Sequence, residues 1–296
     1  MAFILSLSII LCWSLTWLAI KLHISFVPLE LSLFYRMAIA SLVLFLWAFI
    51  SKKKLRYSAQ THIFFVLQGF FSFCVNYLLS YMGAQYLLSG IGAVVFSVVL
   101  PLNMLNSSLF FGDKIDKQFA FISALSLVGL ALVFWPELST FDFSDRQIVG
   151  LIFSLLGALS ASLGNMIATR NQRNDLPILQ TNAFGTLYGA LFCLLFVRFK
   201  GIEFSFDSNV QYWGPLLFLS IVGTVIAFGV FFKLIQLVGA AKAAYPLVLV
   251  PVVALLVSQA FEGFKWSNFS LVGIVLIVSA NCMLLYRKNR RALKTI

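Results

Sequence analysis

Apolar residues in this chain gather into runs long enough to cross a bilayer, and charged residues fall between the runs. A spanning helix needs about 20 mainly apolar residues. Ten segments fit that requirement: 2–20, 29–50, 62–83, 90–111, 118–135, 147–169, 177–197, 214–235, 244–261 and 268–286. Pro28, Pro136, Pro177 and Pro215 fall at or just outside segment ends, where a missing N–H costs least. Pro101, Pro246 and Pro251 fall inside the fourth and ninth segments. The pattern predicts an all-α polytopic membrane protein with ten transmembrane helices.

Composition supports lipid as the solvent. The chain is 61% hydrophobic and 10% charged, where soluble domains average roughly 25% charged residues. The net charge of +11 would raise nucleic acid as a partner in a soluble protein. Here the basic residues separate apolar runs or crowd the C-terminus, so they are read as topology. With the N-terminus in the cytoplasm, the inner loops and tail hold Lys52, Lys53, Lys54, Arg56, Lys114, Lys117, Arg170, Arg173, Lys242, Arg287, Lys288, Arg290, Arg291 and Lys294. The outer loops hold only Lys21, Arg146, Arg198, Lys200 and Lys265. This bias predicts a protein integral to the cytoplasmic (inner) membrane with both termini cytoplasmic. Trp47, Trp135, Trp213 and Trp266 sit at or beside segment ends, as an interfacial belt requires. Segment 2–20 lacks a basic n-region and reads as the first span rather than a signal peptide.

The two halves repeat weakly at an offset of 149 residues: Lys21 answers to Arg170, Gly90 to Gly239, Phe96 to Tyr245 and Asp113 to Glu262. Pro101 and Pro251 match within one residue. The expected units are therefore 1–140 and 141–296, five helices each. An odd number forces the second unit to insert upside down, giving a 5+5 inverted repeat as in many secondary transporters.

Several strings carry a resemblance. Trp13-Ser14-Leu15-Thr16-Trp17 followed by Lys21, Phe34-Tyr35-Arg36, and the block from Gly83-Ala84-Gln85-Tyr86 through Pro101-Leu102 to Phe111-Gly112-Asp113 form one ordered set. A second copy runs from Gly239-Ala240-Ala241 through Pro246 and Pro251 to Phe261-Glu262-Gly263. The set resembles the EamA-type transporters of the drug/metabolite transporter superfamily over essentially the whole chain. Where that family usually has Glu before the fifth helix, this sequence has Asp113. The resemblance implies a ten-helix inverted repeat, a central cavity and transport of small metabolites, often outward.

Pro-interrupted helices at matching places in two halves point to a transporter's binding site, so Pro101, Pro246 and Pro251 are candidate kink or gating positions. Candidates for the cavity wall are Trp13 and Trp17, four apart on one helix face, with Ser14 beside them. Asn76, Tyr77 and Tyr81 on the third helix join them, with Ser97 and Asn103 on the fourth and Tyr245 on the ninth. Each polar group either lines a cavity or joins helices by hydrogen bonds. Arg36, about seven positions into the second helix, either snorkels to the outer surface or faces the cavity, where it would recognise a carboxylate or hold a gate. Gly150, Gly157 and Gly164, and the pair Gly185 and Gly189, permit close helix approach.

Absences narrow the function. The acids all lie in loops or at segment ends, which gives no support to a proton relay through a buried carboxylate and favours facilitated diffusion or exchange. Cys12, Cys74, Cys193 and Cys282 lack CxxC spacing, and no HExxH or other catalytic set is present. We expect no metal, no cofactor, no enzymatic activity and no nucleic-acid partner. A channel would favour rings of polar groups, which scattered Asn and Tyr do not make. The expected function is secondary transport of a small metabolite, an amino acid or related compound, by alternating access and in the export direction. Import or exchange of a nucleoside-like or flavin-like metabolite is the second reading. A sugar phosphate fits less well, because only one buried base is available.

Overall fold

Hydrocarbon offers no hydrogen bonds, so a backbone crossing it must satisfy its own N–H and C=O groups, and the helix does this within one segment. The computed structural model describes residues 1–23, 26–87, 95–133, 135–139, 145–262 and 267–292; these are helices and their connections, with no strand. The helices are α1 (Ala2–His23), α2 (Leu29–Ile50), α3 (Ala59–Ala84), α4 (Val99–Phe111), α5 (Lys117–Val133), α6 (Asp145–Arg173), α7 (Ile178–Phe199), α8 (Val210–Val238), α9 (Leu249–Glu262) and α10 (Asn268–Ala292). A short helix, Trp135–Ser139, follows α5. Six of them, α1, α2, α3, α6, α7 and α8, are long and apolar enough to cross a membrane. The apolar parts of α4, α5, α9 and α10 are shorter, at 10–17 residues. Six of the ten expected spans therefore meet the length criterion among the described residues.

The outer surface suits lipid. Leu7, Leu11 and Leu15 form an exposed stripe on α1, and Leu271, Val275 and Val278 one on α10. Contiguous apolar surface of this kind is a liability in water and is ordinary against acyl chains. The protein is integral to a membrane.

Packing is pairwise. Helix α2 lies along α7, α5 along α10, α3 along α6, and α1 against α8 and α9, while α4 also meets α6. Small residues let backbones touch. Gly129 and Gly273 face each other across α5 and α10, and a Cβ on either would collide with the other's carbonyl oxygen. On α6, Gly150, Gly157 and Gly164 recur every seven residues and receive Tyr86, Ser80 and Ser72 respectively.

The backbone departs from α-geometry at corresponding places. Residues Gly69–Val75 of α3 and Ile221–Ile226 of α8 are π-helical. Before α4, tight turns link Val98 N–H to Val95 O and Leu100 N–H to Ser97 O. Before α9, a 3-10 turn covers Tyr245–Val248. These turns correct the expected kinks. Pro101 and Pro251 are each the third residue of their helix, where no intrahelical N–H is required. Pro246 sits in the first half of the 3-10 turn. The prolines start helices rather than bend them. Pro215 is the converse case: Asn209 caps Gln211 N–H at 3.0 Å and starts α8 at Val210, so Pro215 lies inside the helix.

Gly164→Ala should force α3 away from α6, because the new methyl runs into the Ser72 hydroxyl. Overpacking of this kind costs about 1–3 kcal/mol. Thermal melting in detergent should show G164A well below the unsubstituted protein, with Ser72→Ala in the same chain recovering part of the loss. Gly229→Ala, where nothing lies within 4 Å, should change little. Equal melting of G164A and the unsubstituted protein would refute the tight seam.

Candidate functional site: a central cavity backed by a buried arginine

Residues of α1, α3, α6, α8 and α9, with the turns before α4 and α9, line a cavity that is partly open to the surroundings. Its described wall contains no charged side chain. One side is aromatic. Trp13 meets Phe228 and Phe231 edge-on at centroid distances of 5.3 and 5.1 Å, and its indole N–H donates to the Gly223 carbonyl at 3.2 Å. The wall also carries a polar stripe on α3, Ser72, Asn76 and Ser80, spaced by four and so on one face, and Asn165 of α6.

The cavity occupies one end of the bundle. No described wall residue precedes Trp13 in α1 or Ser72 in α3, and none follows Asn165 in α6 or Phe231 in α8. From the cavity floor, where Asn103 meets Asn165, to the other end, the two halves of the chain are tied together. Asn103 Nδ2 donates to Ala240 O at 3.3 Å, Gln172 Nε2 to Phe232 O at 2.8 Å, and Arg173 pairs with Asp113 at 2.9 Å. Arg173 also lies over the Phe111 ring, 4.3 Å from its centroid.

Arg36 stands behind the wall. It is 1% exposed. Its Nε donates to Thr224 Oγ1 at 3.0 Å, Nη1 to the Tyr81 hydroxyl at 3.0 Å and Nη2 to the Tyr77 hydroxyl at 3.2 Å. The guanidinium also sits 4.3 Å from the Tyr77 ring centroid. The π-turn of α8 makes room for this. Thr224 returns its own hydroxyl to Leu219 O at 2.9 Å, and Gly223 has no Cβ to press on Nη2. An Arg at a helix centre costs about 2.5–3.5 kcal/mol on insertion scales. Hydrogen bonds to a charged group contribute about 1.5–3 kcal/mol each, so three of them offset that penalty without a counter-ion.

This architecture has relatives. The family model described as the EamA-like transporter family matches residues 1–135 and 148–286. This chain belongs to the EamA-like transporter family. It is 28% identical to the protein named "Uncharacterized transporter YoaV" of Bacillus subtilis, over 84% of each chain. It is 23% identical to "Protein PagO" of Salmonella typhimurium, over 97% of this chain and 93% of that one. A crystal structure 19% identical superposes with a TM-score of 0.76, covering 97% of this chain and 98% of the other, which shows a shared fold. As an EamA-type protein the chain is a membrane transporter, and the transporter names of its relatives fit a non-enzyme.

Of the residues singled out by sequence, this EamA-type cavity brings together Trp13, Asn76, Tyr77, Tyr81, Ser97 and Pro251 on its wall. Arg36 neither snorkels nor faces the cavity directly; it touches it through two tyrosines. Three candidates lie off the wall. Ser14 gives its hydroxyl to the Ile10 and Val250 carbonyls, Asn103 joins Ala240 and Asn165, and the Tyr245 hydroxyl meets that of Ser126 at 3.0 Å. In each case the polar group joins helices. The Trp17 side chain lies outside the described residues. Sequence reasoning missed Ser72, Thr16, Phe228 and Phe231 on the wall and Thr224 behind it. The four-residue spacing of Ser72 from Asn76 was the one available signal.

Asp113 titrates at the tied end. Burial raises its carboxyl pKa, but hydrogen bonds from Ser107 and Arg173 and the Arg173 charge outweigh this and hold it below the usual value. A depressed carboxylate pKa stabilises the fold above the unfolded pKa and loses that contribution as pH falls through the folded one. Both partners are nearly half exposed, so the pair is worth under about 1 kcal/mol. Asp113→Asn should therefore melt slightly lower than the unsubstituted protein at pH 7, and the two should converge as the pH falls below the depressed pKa of the Asp113 carboxyl. A gap that persists at low pH would show that the charge is not responsible.

Proposed function

We propose that this EamA-type protein is a secondary transporter that carries a small metabolite, an amino acid or related compound, through the central cavity by alternating access. The observation that carries the reading is the cavity itself. Both halves of the chain build it, it combines aromatic rings with amide and hydroxyl groups, and cross-ties between the halves close the bundle from its floor to the far end. A passage with one closed end suits a carrier better than an open pore.

In this reading the four shorter apolar helices also cross the membrane, giving ten spans as two inverted five-helix units, 1–140 and 141–296. The pairings support it. A two-fold axis in the membrane plane exchanges α1 with α6, α3 with α8 and α4 with α9, and it maps α2 and α5 onto α7 and α10. The contacts of α1 with α8 and α9 then correspond to those of α6 with α3 and α4. The matching π-turns and matching tight turns before α4 and α9 fit the same operation. Basic-residue bias places both termini in the cytoplasm of an inner membrane, so the cavity faces outward and the Arg173–Asp113 end faces the cytoplasm. Export is the direction the family resemblance implies. The wall holds no described carboxylate, so facilitated diffusion or exchange is the expected mode.

Purified protein in liposomes, challenged with a mixture of amino acids, purines and aromatic metabolites, should give saturable flux of a narrow solute class. Non-saturating flux would indicate a channel, and no flux of any solute would remove the transport reading. Cysteine placed at Asn76 should react with an impermeant thiol reagent from the outer face in the resting protein. Reaction only from the cytoplasmic face would reverse the proposed orientation.

A further inference from the structure

Asn165 lies on the cavity wall and also on a polar face of α6 that continues beyond it. Ser162, Asn165, Thr169 and Gln172 are spaced by three and four, so they share that face. Helix α4 and the end of α8 answer it. Asn106 Nδ2 donates to Ser162 Oγ at 2.9 Å, Asn165 Nδ2 to Asn103 Oδ1 at 3.3 Å and Gln172 Nε2 to Phe232 O at 2.8 Å. Thr169, also buried, gives its hydroxyl to Asn165 O within the helix at 2.8 Å. One residue beyond Gln172, Arg173 pairs with Asp113 at the exposed end. Polar groups therefore recur at each turn of α6 from the cavity floor to the tied end.

Interhelical hydrogen bonds in membranes contribute little each. A seam needed only for stability is served as well by apolar packing, as where Phe45 meets Phe184 and where Ala40, Leu44 and Ala183 cluster between α2 and α7. The polar face also has a counterpart. The cavity takes Trp13, Thr16 and Ile20 from α1, and the 149-residue offset between the halves carries these three onto Ser162, Asn165 and Thr169. In an inverted repeat, rocking of one unit against the other changes access around a fixed site. The α6 counterparts of the outer-wall residues then line the passage when access changes sides.

We infer that this buried face of α6, with Asn103 and Asn106 of α4 opposite, is the cytoplasmic half of the solute path. It is zipped shut by its own hydrogen bonds in this structure and wetted when the tied end parts. The inference rests on the transport reading and its inverted repeat, and it adds the route beyond the cavity. Asn165 belongs to both halves of that route. The path suits a solute with hydrogen-bonding groups; a hydrocarbon-like one would part these amides from their partners and replace none of them.

The test uses liposomes of known sidedness that contain the full chain, with the solute mixture named above. Cysteine pairs at Asn106 and Ser162, and separately at Asp113 and Arg173, are joined by a short reducible bifunctional thiol reagent. Flux is read in the same vesicles before linking, after linking and after reduction, against the unsubstituted chain treated alike. Linking either pair should abolish flux, and reduction should restore it. A linked pair at Phe45 and Phe184, in the α2–α7 seam, should leave flux intact. Thr169→Cys should react with an impermeant thiol reagent from the cytoplasmic face at least about fivefold faster during flux than at rest, as the minor open state gains population. Flux that survives linking of α4 to α6, or a Thr169→Cys rate that flux does not change, would overturn the path and leave transport standing. Equal loss with the Phe45–Phe184 link would also overturn it, since arrest of any seam would then suffice. No flux in the unsubstituted chain would remove the transport reading, and the path with it.

Discussion

Every peptide group in this chain must find a partner without help from solvent, and that constraint decides where the fold can be irregular. Non-helical backbone at membrane depth is tolerated only where protein or a cavity surrounds it. The π-turn at Gly69–Val75 and the tight turns before α4 and α9 obey this rule by contributing to the cavity wall, and the π-turn at Ile221–Ile226 by lying behind the wall residue Trp13. Their spare groups are put to use. The Gly223 carbonyl takes the Trp13 indole N–H, and the Leu219 carbonyl takes the Thr224 hydroxyl. The same irregularity that would be costly against lipid supplies the wall and the support of the site.

Arg36 depends on that arrangement. Its guanidinium bridges α2, α3 and α8 through Tyr77, Tyr81 and Thr224. Two conditions make the bridge possible. The α8 π-turn presents Thr224 with Gly223 beside it, leaving space for Nη2. The α3 stripe is held close to α6 by glycines that accept Ser72 and Ser80, which fixes Tyr77 and Tyr81 on the adjoining face. Substituting a glycine on α6 therefore disturbs the arginine cluster indirectly, by shifting the helix that carries its tyrosines.

The legibility of this fold in its sequence is uneven for physical reasons. The ends of α2 and α7 follow directly from Pro28 and Pro177, because proline cannot continue a preceding helix and suits the start of a new one. Pro101 and Pro251 mislead for the same reason: an apolar run does not disclose whether a proline lies in its middle or in the first turn of a shorter helix. Polar candidates were ambiguous in kind. Ser14, Asn103 and Tyr245 satisfy themselves on carbonyls and hydroxyls of neighbouring helices, whereas Asn76 and Tyr77 reach the cavity, and both roles place one polar residue in an apolar run. Thr224 carried no signal at all, since its partner Arg36 is 188 residues away in the chain.

The asymmetry between the two ends of the bundle links this static arrangement to the proposed cycle. At the tied end, the outermost links between halves run through side chains at or beyond helix termini, Asp113 with Arg173 and Gln172 with the Phe232 carbonyl, while Asn103 meets the Ala240 carbonyl inside the bundle. Exposed ion pairs contribute little, and the others are single hydrogen bonds, so this end can part without dismantling the core. The long seams of α2 with α7 and α5 with α10 are instead continuous packing. In the proposed two-fold arrangement these seams lie on the axis, where a rocking motion displaces atoms least. The weak ties lie farthest from it, where displacement is greatest. Motion about those seams would open the tied end and close the cavity mouth while Arg36, Tyr77 and Tyr81 stay near the centre.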